Sequence, residues 1–248
     1  MAVNKFFIML KTELKLSFRG MDMIIFALCM PVGVAALLGI IYGGRPAFPG
    51  AEYSFLEQSF GAVSTIAVCA GGVMGLPLVI SDYRQKKILK RYQVTPTSPV
   101  LLLAVQAAVY AVYSLVSLIL VTLAFALFGA RLRGSWPLFL AFYLQVMISM
   151  FSIGIMVGGI ARDAKTAGIA ASLLYFPMLI LSGTTLPYEV MPPALQKAAD
   201  LLPLTQGIKL LKAAALGRPV EMMWMPLGVM VVFAVCSSGI AVRFFKWE

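Results

Sequence analysis

The 248-residue chain contains no histidine, and only 12% of its residues are charged. The absence of histidine removes the commonest general base, the commonest metal ligand and the usual pH switch of proteins. Its three cysteines, an odd number at unrelated spacing, give no disulfide framework and no metal motif. Because soluble domains carry about 25% charged residues, the composition lies far outside that class.

Motifs that would supply energy or catalysis are also missing. The sequence has no Gly-x-x-x-x-Gly-Lys-Ser/Thr phosphate loop, so we do not expect it to bind ATP in the usual way. Its long apolar runs contain no Asp, Glu, Lys or Arg that could relay protons or coordinate Na⁺ inside a membrane. No acid pair or catalytic cluster indicates an intramembrane enzyme. We therefore predict a protein that is not an enzyme and binds no metal or cofactor itself.

The chain contains several long apolar runs. Hydrophobic residues make up 61% of it, and its mean hydropathy is +0.93. A helix that crosses the ~30 Å hydrocarbon layer needs about 20 apolar residues, and six windows meet this requirement. We predict an all-α integral membrane protein whose six transmembrane helices form a single domain over residues 21–248. The six windows are Met23–Tyr42, Phe60–Ile80, Val100–Phe128, Trp136–Ile160, Ala167–Leu186 and Met222–Val242.

Residues 1–20 are predicted to form a separate amphipathic helix. Val3, Phe7, Leu10 and Leu14 recur at helical spacing, and lysines lie elsewhere around the helix. This pattern is typical of a helix that lies in the membrane interface with its lysines toward anionic headgroups. The alternative is a disordered basic tail. The segment lacks the apolar core and small-residue cleavage site of a signal peptide.

The distribution of basic residues predicts the orientation. Six spans place both termini on one side of the membrane. If that side is the cytoplasm, 13 of the 20 Lys and Arg residues are cytoplasmic, as the positive-inside rule favours. We predict a multi-pass plasma-membrane protein with both termini cytoplasmic. Because these cations flank apolar spans instead of forming one patch with aromatic residues, nucleic acid is not an expected partner.

Two segments between spans have distinct patterns. Residues 187–221 contain five prolines, among them Pro187, Pro192, Pro193 and Pro203, and between these lie amphipathic runs such as Ala194–Leu201 and Thr205–Leu216. Since proline breaks a helix, we predict short external helices that re-enter or lie on the outer leaflet. Ser81–Pro96, between spans two and three, contains five cations and is too short to be a catalytic domain. It is either a contact for another protein or only a positive-inside anchor.

Two glycine pairs predict close helix packing. Gly71-x-x-x-Gly75 lies in the second span and Gly154-x-x-x-Gly158 in the fourth. Such pairs let helix backbones approach closely. We interpret both as packing motifs in preference to substrate contacts.

The chain resembles the permease subunit of a type-2 ATP-binding-cassette exporter. The similarity covers the amphipathic N-terminal helix, the six spans and two local patterns. In the first, the charged segment Asp82–Arg91 leads to Thr95-Pro96 before span three. The family often has a Glu near the start of this segment and a Gly-Thr pair within it, where this chain has Asp82 and Ile88-Leu89. The second pattern is Leu181-Ser182-Gly183, Leu186-Pro187, Met191-Pro192, Leu195-Gln196 and Leu202-Pro203.

The resemblance implies partners and a coupling helix. Two copies of a separate cytoplasmic ATPase would bind ATP and Mg²⁺, and two permease copies, identical or closely homologous, would form the pathway. The helix at residues 82–95 would transmit ATPase movement, with Leu89 and Tyr92 as apolar anchors and the cations giving register and steering. The predicted coupling residues are Asp82, Tyr83, Arg84, Lys87, Leu89, Arg91 and Tyr92, with a second cytoplasmic contact at Arg162, Asp163 and Lys165.

The same resemblance places the pathway at the interface of the two permease copies, lined mainly by spans two and five. That lining would be apolar and rich in methionine, so we expect a hydrophobic or amphipathic substrate, such as a drug, an antibiotic or a lipid-like molecule, and a bacterial inner-membrane location. Two other functions stay open: a gradient-driven carrier and a lipid-modifying intramembrane protein. The predicted lining residues are Ser64, Thr65, Val68, Met74, Leu173, Phe176 and Leu179.

Overall fold

A computed structural model of the chain describes residues 2–18, 20–88, 90, 99–183, 188 and 191–245. This part of the chain is helical and contains no β-strand. The main helices follow the chain in order and are named here. They are α1 (Ala2–Ser17), α2 (Ile24–Tyr42), α3 (Phe55–Gln85), α4 (Val100–Leu127), α5 (Trp136–Ile160), α6 (Ala164–Leu181), α7 (Pro193–Asp200), α8 (Pro203–Ala215) and α9 (Trp224–Phe244).

The predicted all-α class and the six spans are confirmed. Helices α2, α3, α4, α5, α6 and α9 are each long and apolar enough to cross a membrane. The two amphipathic runs between the last two spans also form helices, α7 and α8, separated at Pro203. The interfacial position of α1 and the re-entrant arrangement of α7 and α8 stay predictions.

The second span is longer than the predicted window Phe60–Ile80. It runs from Phe55 to Gln85, because its ends are set by backbone capping and not by hydropathy. At the start, the Ser54 hydroxyl accepts a hydrogen bond from the Glu57 amide at 3.1 Å, and the Ser54 amide donates to the Glu57 carboxylate at 3.0 Å. This reciprocal pair satisfies amides that have no partner within the helix. At the other end, Lys87 has a φ of 56°, which no α-helix accommodates.

The fifth span is also displaced from its predicted window, Ala167–Leu186. Helix α6 begins at Ala164 because the Asp163 carboxylate accepts a hydrogen bond from the Thr166 amide at 2.7 Å. It ends at Leu181, shortly before Gly183, whose φ of 93° is open to glycine but strained for other residues. Leu186 lies outside the described residues. The helix continues through Pro177.

Helix α3 is the central element, and it is the most buried of the six candidate spans. A π-helical turn, Ala70–Gly75, interrupts it and faces α5. There the Gly72 backbone lies so close to Gly154 that a Cβ atom at Gly154 would overlap the Gly72 carbonyl oxygen. The Gly154–Gly158 pair therefore serves the backbone packing that the sequence predicts. Gly71 and Gly75 differ, because they accommodate the ring of Tyr110 and not a neighbouring backbone.

The bundle has two ends, which we distinguish by their contents. The terminal end holds α1, the last turn of α3, the turn 161–163 and Phe245. The loop end holds residues 43–54, residues 129–135, α7 and α8. On the terminal end, Leu10 and Leu14 of α1 pack against a buried cluster that includes Tyr113, whereas Phe7 is exposed. On the loop end, Arg133 forms an ion pair with Glu57 at 2.9 Å.

Candidate functional site

Arg84 joins three elements at the terminal end. It lies on the last turn of α3 and is buried, and its guanidinium nitrogens donate hydrogen bonds to the carbonyl oxygens of Gly158, Gly159 and Ala161. The Gly158 and Gly159 bonds measure 2.7 and 3.0 Å. These carbonyls end α5 and have no partners within that helix, and a cation there also complements the helix dipole. The ring of Phe245 stacks on the guanidinium, 5.7 Å from Cζ to centroid. We call this arrangement the Arg84 junction.

The structure places Arg84 differently from the position predicted for it. The sequence predicts Arg84 as part of a coupling helix over residues 82–95, presented to an ATPase. In the structure, Asp82, Tyr83 and Arg84 continue α3, and the guanidinium of Arg84 is engaged within the subunit. From the sequence alone, a basic residue at the end of a span is expected to be a surface charge. The carbonyl groups that Arg84 caps are more than 70 residues away in sequence, so no local pattern indicates them.

An exposed surface surrounds the Arg84 junction. Lys86 and Lys87 follow α3 directly and are exposed, with Lys86 in an ion pair with Asp82 at 2.8 Å. Arg162, Asp163 and Lys165, the predicted second contact, are also exposed. Arg162 and Asp163 lie in the turn whose Ala161 carbonyl accepts from Arg84, and Lys165 follows in the first turn of α6, so the two predicted contacts are adjacent. Hydrogen bonding from the Thr166 amide holds the pKa of Asp163 below its ordinary value. The other predicted coupling residues, Leu89, Arg91 and Tyr92, lie outside the described residues.

A polar network lies on the inner side of the same region. The Tyr83 hydroxyl donates a hydrogen bond to the Glu13 carboxylate of α1 at 3.1 Å. The Gln106 amide of α4 in turn donates to the Tyr83 hydroxyl at 2.8 Å. These three side chains link α1, α3 and α4. They place one carboxylate beside a region that is otherwise apolar.

The Glu13–Tyr83–Gln106 network forms one end of a cavity of about 560 Å³, which we call the terminal cavity. Its walls come from α1, α2, α3, α4 and α6. It reaches along α3 from Tyr83 to Ala70, roughly 20 Å at 1.5 Å per residue. The deeper walls are apolar and include Met30, Tyr110 and Phe176. The cavity therefore has one polar end and apolar walls, which match the two parts of an amphipathic molecule. Its volume lies within the range of ~300–1,000 Å³ typical of small-molecule sites.

The predicted lining residues do not form one surface in the single chain. Met74, Phe176 and Leu179 line the terminal cavity, whereas Leu173 is exposed on the outside of α6. The remaining three, on α3, are fully buried among neighbouring helices. Two of them have hydroxyls, and both donate within the helix: Ser64 to the Phe60 carbonyl and Thr65 to the Ala62 carbonyl, each at 2.7 Å. The fully buried residues are Ser64, Thr65 and Val68.

Sequence reasoning missed Glu13 and Gln106 as partners of Tyr83. A signal for Glu13 was present in the spacing, because residues 10, 13, 14 and 17 share one face of an α-helix. Glu13 is thus an acid on the same face as Leu10 and Leu14, which pack against the bundle. No comparable signal existed for Gln106, since its partner lies on a different helix.

The family described as ABC-2 type transporter matches residues 4–216, which is most of the chain and includes the terminal cavity and all of the Arg84 junction except Phe245. The chain belongs to the ABC-2 type transporter family. The resemblance seen in the sequence is therefore confirmed. The ABC-2 permease is a multi-pass membrane protein.

Individual relatives match shorter stretches of this ABC-2 permease. Nodulation protein J of Neorhizobium galegae is 30% identical over 99 residues, which are 40% of this chain and 38% of that protein. Inner membrane transport permease YhhJ of Escherichia coli K12 is 35% identical over 109 residues, 42% of this chain and 28% of that protein. Nodulation protein J of Rhizobium leguminosarum bv. viciae is 31% identical over 88 residues, 36% of this chain and 34% of that protein. Each match thus covers less than half of the relative.

Proposed function

We propose that this ABC-2 permease is the membrane subunit of an ATP-driven exporter for a hydrophobic or amphipathic molecule. The observation that carries the proposal is the terminal cavity, with its apolar walls and one polar end at Glu13, Tyr83 and Gln106. An amphiphile would place its apolar part along Met74 and Phe176 and its polar part at the network. Two permease copies and two ATPase copies complete the proposed assembly.

The proposed orientation places the terminal end in the cytoplasm. The positive-inside rule supports it, and so does the exposed basic surface around Arg84, which a cytoplasmic ATPase can reach. The name of the relative YhhJ, an inner membrane transport permease, supports a bacterial inner-membrane location. In this arrangement an amphiphile enters the terminal cavity from the cytoplasmic leaflet.

The coupling route follows from the Arg84 junction. A force applied to the exposed turn at Lys86 and Lys87 acts directly on α3, and the hydrogen bonds of Arg84 pass it to the end of α5. Helices that are joined this firmly move as a rigid body and not as a flexible chain. Because α3 also forms a wall of the terminal cavity, ATPase movement would change the shape of that cavity.

Filling the terminal cavity tests the proposed substrate site. We expect Met74→Trp to reduce substrate-stimulated ATP hydrolysis of the reconstituted complex about tenfold, the loss that corresponds to ~1.4 kcal/mol of binding. Leu173→Trp is the matched control, because Leu173 is exposed on α6 and does not line the cavity. The assay uses a panel of amphiphiles with the partner ATPase in proteoliposomes. If Leu173→Trp is the more damaging change, the substrate binds outside this cavity.

The same proteoliposomes test the energy source. Transport that needs ATP and the ATPase partner supports the exporter. Transport by the purified permease alone, driven by an ion gradient, would support the carrier. Chemical conversion of a lipid without the partner would support the enzyme.

A change in charge tests the proposed ATPase contact. We expect Lys87→Asn combined with Lys165→Gln to weaken ATPase association about tenfold at low salt, since exposed charge pairs contribute at most about 1 kcal/mol each. Asparagine suits position 87 because it tolerates the positive φ found there. The control pair is Arg131→Gln with Lys197→Gln, two exposed cations at the loop end. Equal affinities for the two double variants, measured by co-purification and titration, would exclude this surface as the contact.

A further inference from the structure

One carboxylate determines the charge of the terminal cavity. Among the described residues that line the cavity, Glu13 is the only charged one. Its Oε2 accepts the hydrogen bond from the Tyr83 hydroxyl at 3.1 Å, whereas its Oε1 has no hydrogen-bond partner in the described part of the chain. No Lys or Arg of the described residues lies within ion-pair distance of the Glu13 carboxylate. The polar end of the cavity therefore has a negative charge without a counter-charge.

The nearest lysines of α1 lie on other faces of that helix. Lys11 and Lys15 are each two residues from Glu13 in sequence, and residues two apart on an α-helix do not face each other. Both lysines are exposed, whereas Glu13 is half-buried on the face where Leu10 and Leu14 pack against the bundle. Helix α1 therefore presents its acid to the terminal cavity and these two cations away from it.

The Glu13–Tyr83–Gln106 network ends on a hydrogen-bond acceptor. The Gln106 amide donates to the Tyr83 hydroxyl at 2.8 Å, and that hydroxyl donates to the Glu13 carboxylate. A tyrosine hydroxyl has a single proton, so the Tyr83 proton is already used within the network. The group that Glu13 leaves for a ligand is its Oε1, which can only accept. A ligand at this end must therefore supply a donor or a positive charge.

Aromatic rings line the cavity beyond this polar end. Tyr110 follows Gln106 by about one turn of α4, so the two residues share a face of the helix and are about 6 Å apart along its axis. The rings of Phe26 and Phe176 also belong to the lining. The faces of aromatic rings attract organic cations, and quaternary ammonium groups are recognised in this way. The walls of the cavity thus suit a positive group as well as an apolar chain.

We propose that the terminal cavity selects amphiphiles with a positively charged head group, an inference that rests on its proposed function as the substrate site. A molecule that fills the cavity displaces water from Glu13, and a buried charge is costly unless it is paired. A cationic head group pairs with the carboxylate, whereas a neutral one leaves the carboxylate without a counter-charge and an anionic one is repelled. In the proposed orientation such cations are concentrated at the entrance, because the cytoplasmic leaflet has a negative surface potential.

Binding to the purified permease in phosphatidylcholine nanodiscs tests the charge preference without the ATPase. The probes are dodecyltrimethylammonium and dodecyldimethylamine N-oxide, which have the same chain but differ in net charge at neutral pH. Titration calorimetry measures both affinities, and empty nanodiscs correct for partition into lipid. We expect the cation to bind at least about tenfold more tightly than the oxide, and Glu13→Gln to abolish this preference. Glu52→Gln, which removes an exposed acid at the loop end, should retain it.

Two further variants separate the charge of Glu13 from its structural contact with α3. Glu13→Asp keeps a carboxylate, and Tyr83→Phe keeps the Glu13 charge while it removes the hydrogen bond between α1 and α3. Both variants should therefore still prefer the cation to the oxide. A preference that survives Glu13→Gln, or that Tyr83→Phe abolishes as completely as Glu13→Gln does, would overturn the inference.

Met74→Trp distinguishes this inference from the proposed function on which it rests. If both probes bind the unmodified permease equally and Met74→Trp weakens both, the cavity binds amphiphiles without regard to charge, and only the inference fails. If neither probe binds, or if Met74→Trp changes the affinity of neither, the cavity is not the binding site and the proposed function fails as well. A cation preference that Glu13→Gln abolishes, together with weaker binding in Met74→Trp, supports both.

Discussion

Replacing Gly154 with alanine is expected to destabilise the folded ABC-2 permease by about 3 kcal/mol, as overpacking of a close-packed interior does. The added methyl group would overlap the Gly72 carbonyl oxygen, and backbone moves less readily than a side chain. Helices α3 and α5 would have to separate at the π-helical turn Ala70–Gly75. Gly154→Val, with two further carbons, should prevent folding of the bundle.

A matched control is available within the same chain. Gly239 lies in α9 with open space where its Cβ would be, so Gly239→Ala should be neutral or slightly stabilising because alanine favours helix. The measurement is thermal unfolding of both variants in dodecyl maltoside, followed by tryptophan fluorescence. Identical melting temperatures for Gly154→Ala and Gly239→Ala would mean that α3 and α5 do not pack as closely as described.

The α3–α5 contact is important because α3 connects the two sites described above. One helix contains the Gly72 contact, the wall of the terminal cavity at Met74, and Arg84 at its end. Close packing transmits displacement because interiors are about as dense as organic crystals. A shift imposed near Arg84 therefore reaches Met74 with little loss along the helix. The proposed coupling needs this rigidity, since a loosely packed α3 would absorb the movement.

The sequence predicts this fold well where one local property decides the structure. Apolar length alone locates all six spans, because a run of about 20 apolar residues has few alternatives in a membrane protein. Proline placement similarly separates α7 from α8 at Pro203. Helix ends are predicted less well, because they depend on caps such as Ser54 with Glu57. Hydropathy, from which the spans are predicted, contains no information about such caps.

The candidate sites depend on contacts between distant residues, and these were predicted least well. Met74, Phe176 and Leu179 share the terminal cavity, and a role for them in a transport pathway stays a prediction. Ser64, Thr65 and Val68 were grouped with them only because they are on the same span. Their side chains point to other neighbours, since α3 is enclosed on several sides. The cavity at the loop end that Gln58, Thr205 and Arg218 line was not predicted, because these residues are brought together only by the fold.

Arg84→Ala is expected to have the second large effect, on stability and on coupling together. The change removes the donors to three carbonyls at the end of α5. Hydrogen bonds to charged groups contribute about 1.5–3 kcal/mol each and do not add fully, so the folded state should lose ~3 kcal/mol. Arg84→Lys keeps the charge but not the planar fork that reaches several acceptors, and it should be intermediate. Gln85→Ala, the exposed neighbour, is the control.

The effect on coupling distinguishes the Arg84 junction from a docking contact. If Arg84 works within the subunit, Arg84→Ala should leave ATPase co-purification largely intact at temperatures where the variant is folded. Substrate stimulation of ATP hydrolysis should nevertheless fall, because the end of α3 is no longer tied to α5 and force on Lys86 and Lys87 is dissipated. Reduced co-purification with unchanged melting would instead place Arg84 at the ATPase. That result would contradict the burial of its guanidinium against Gly158, Gly159 and Ala161.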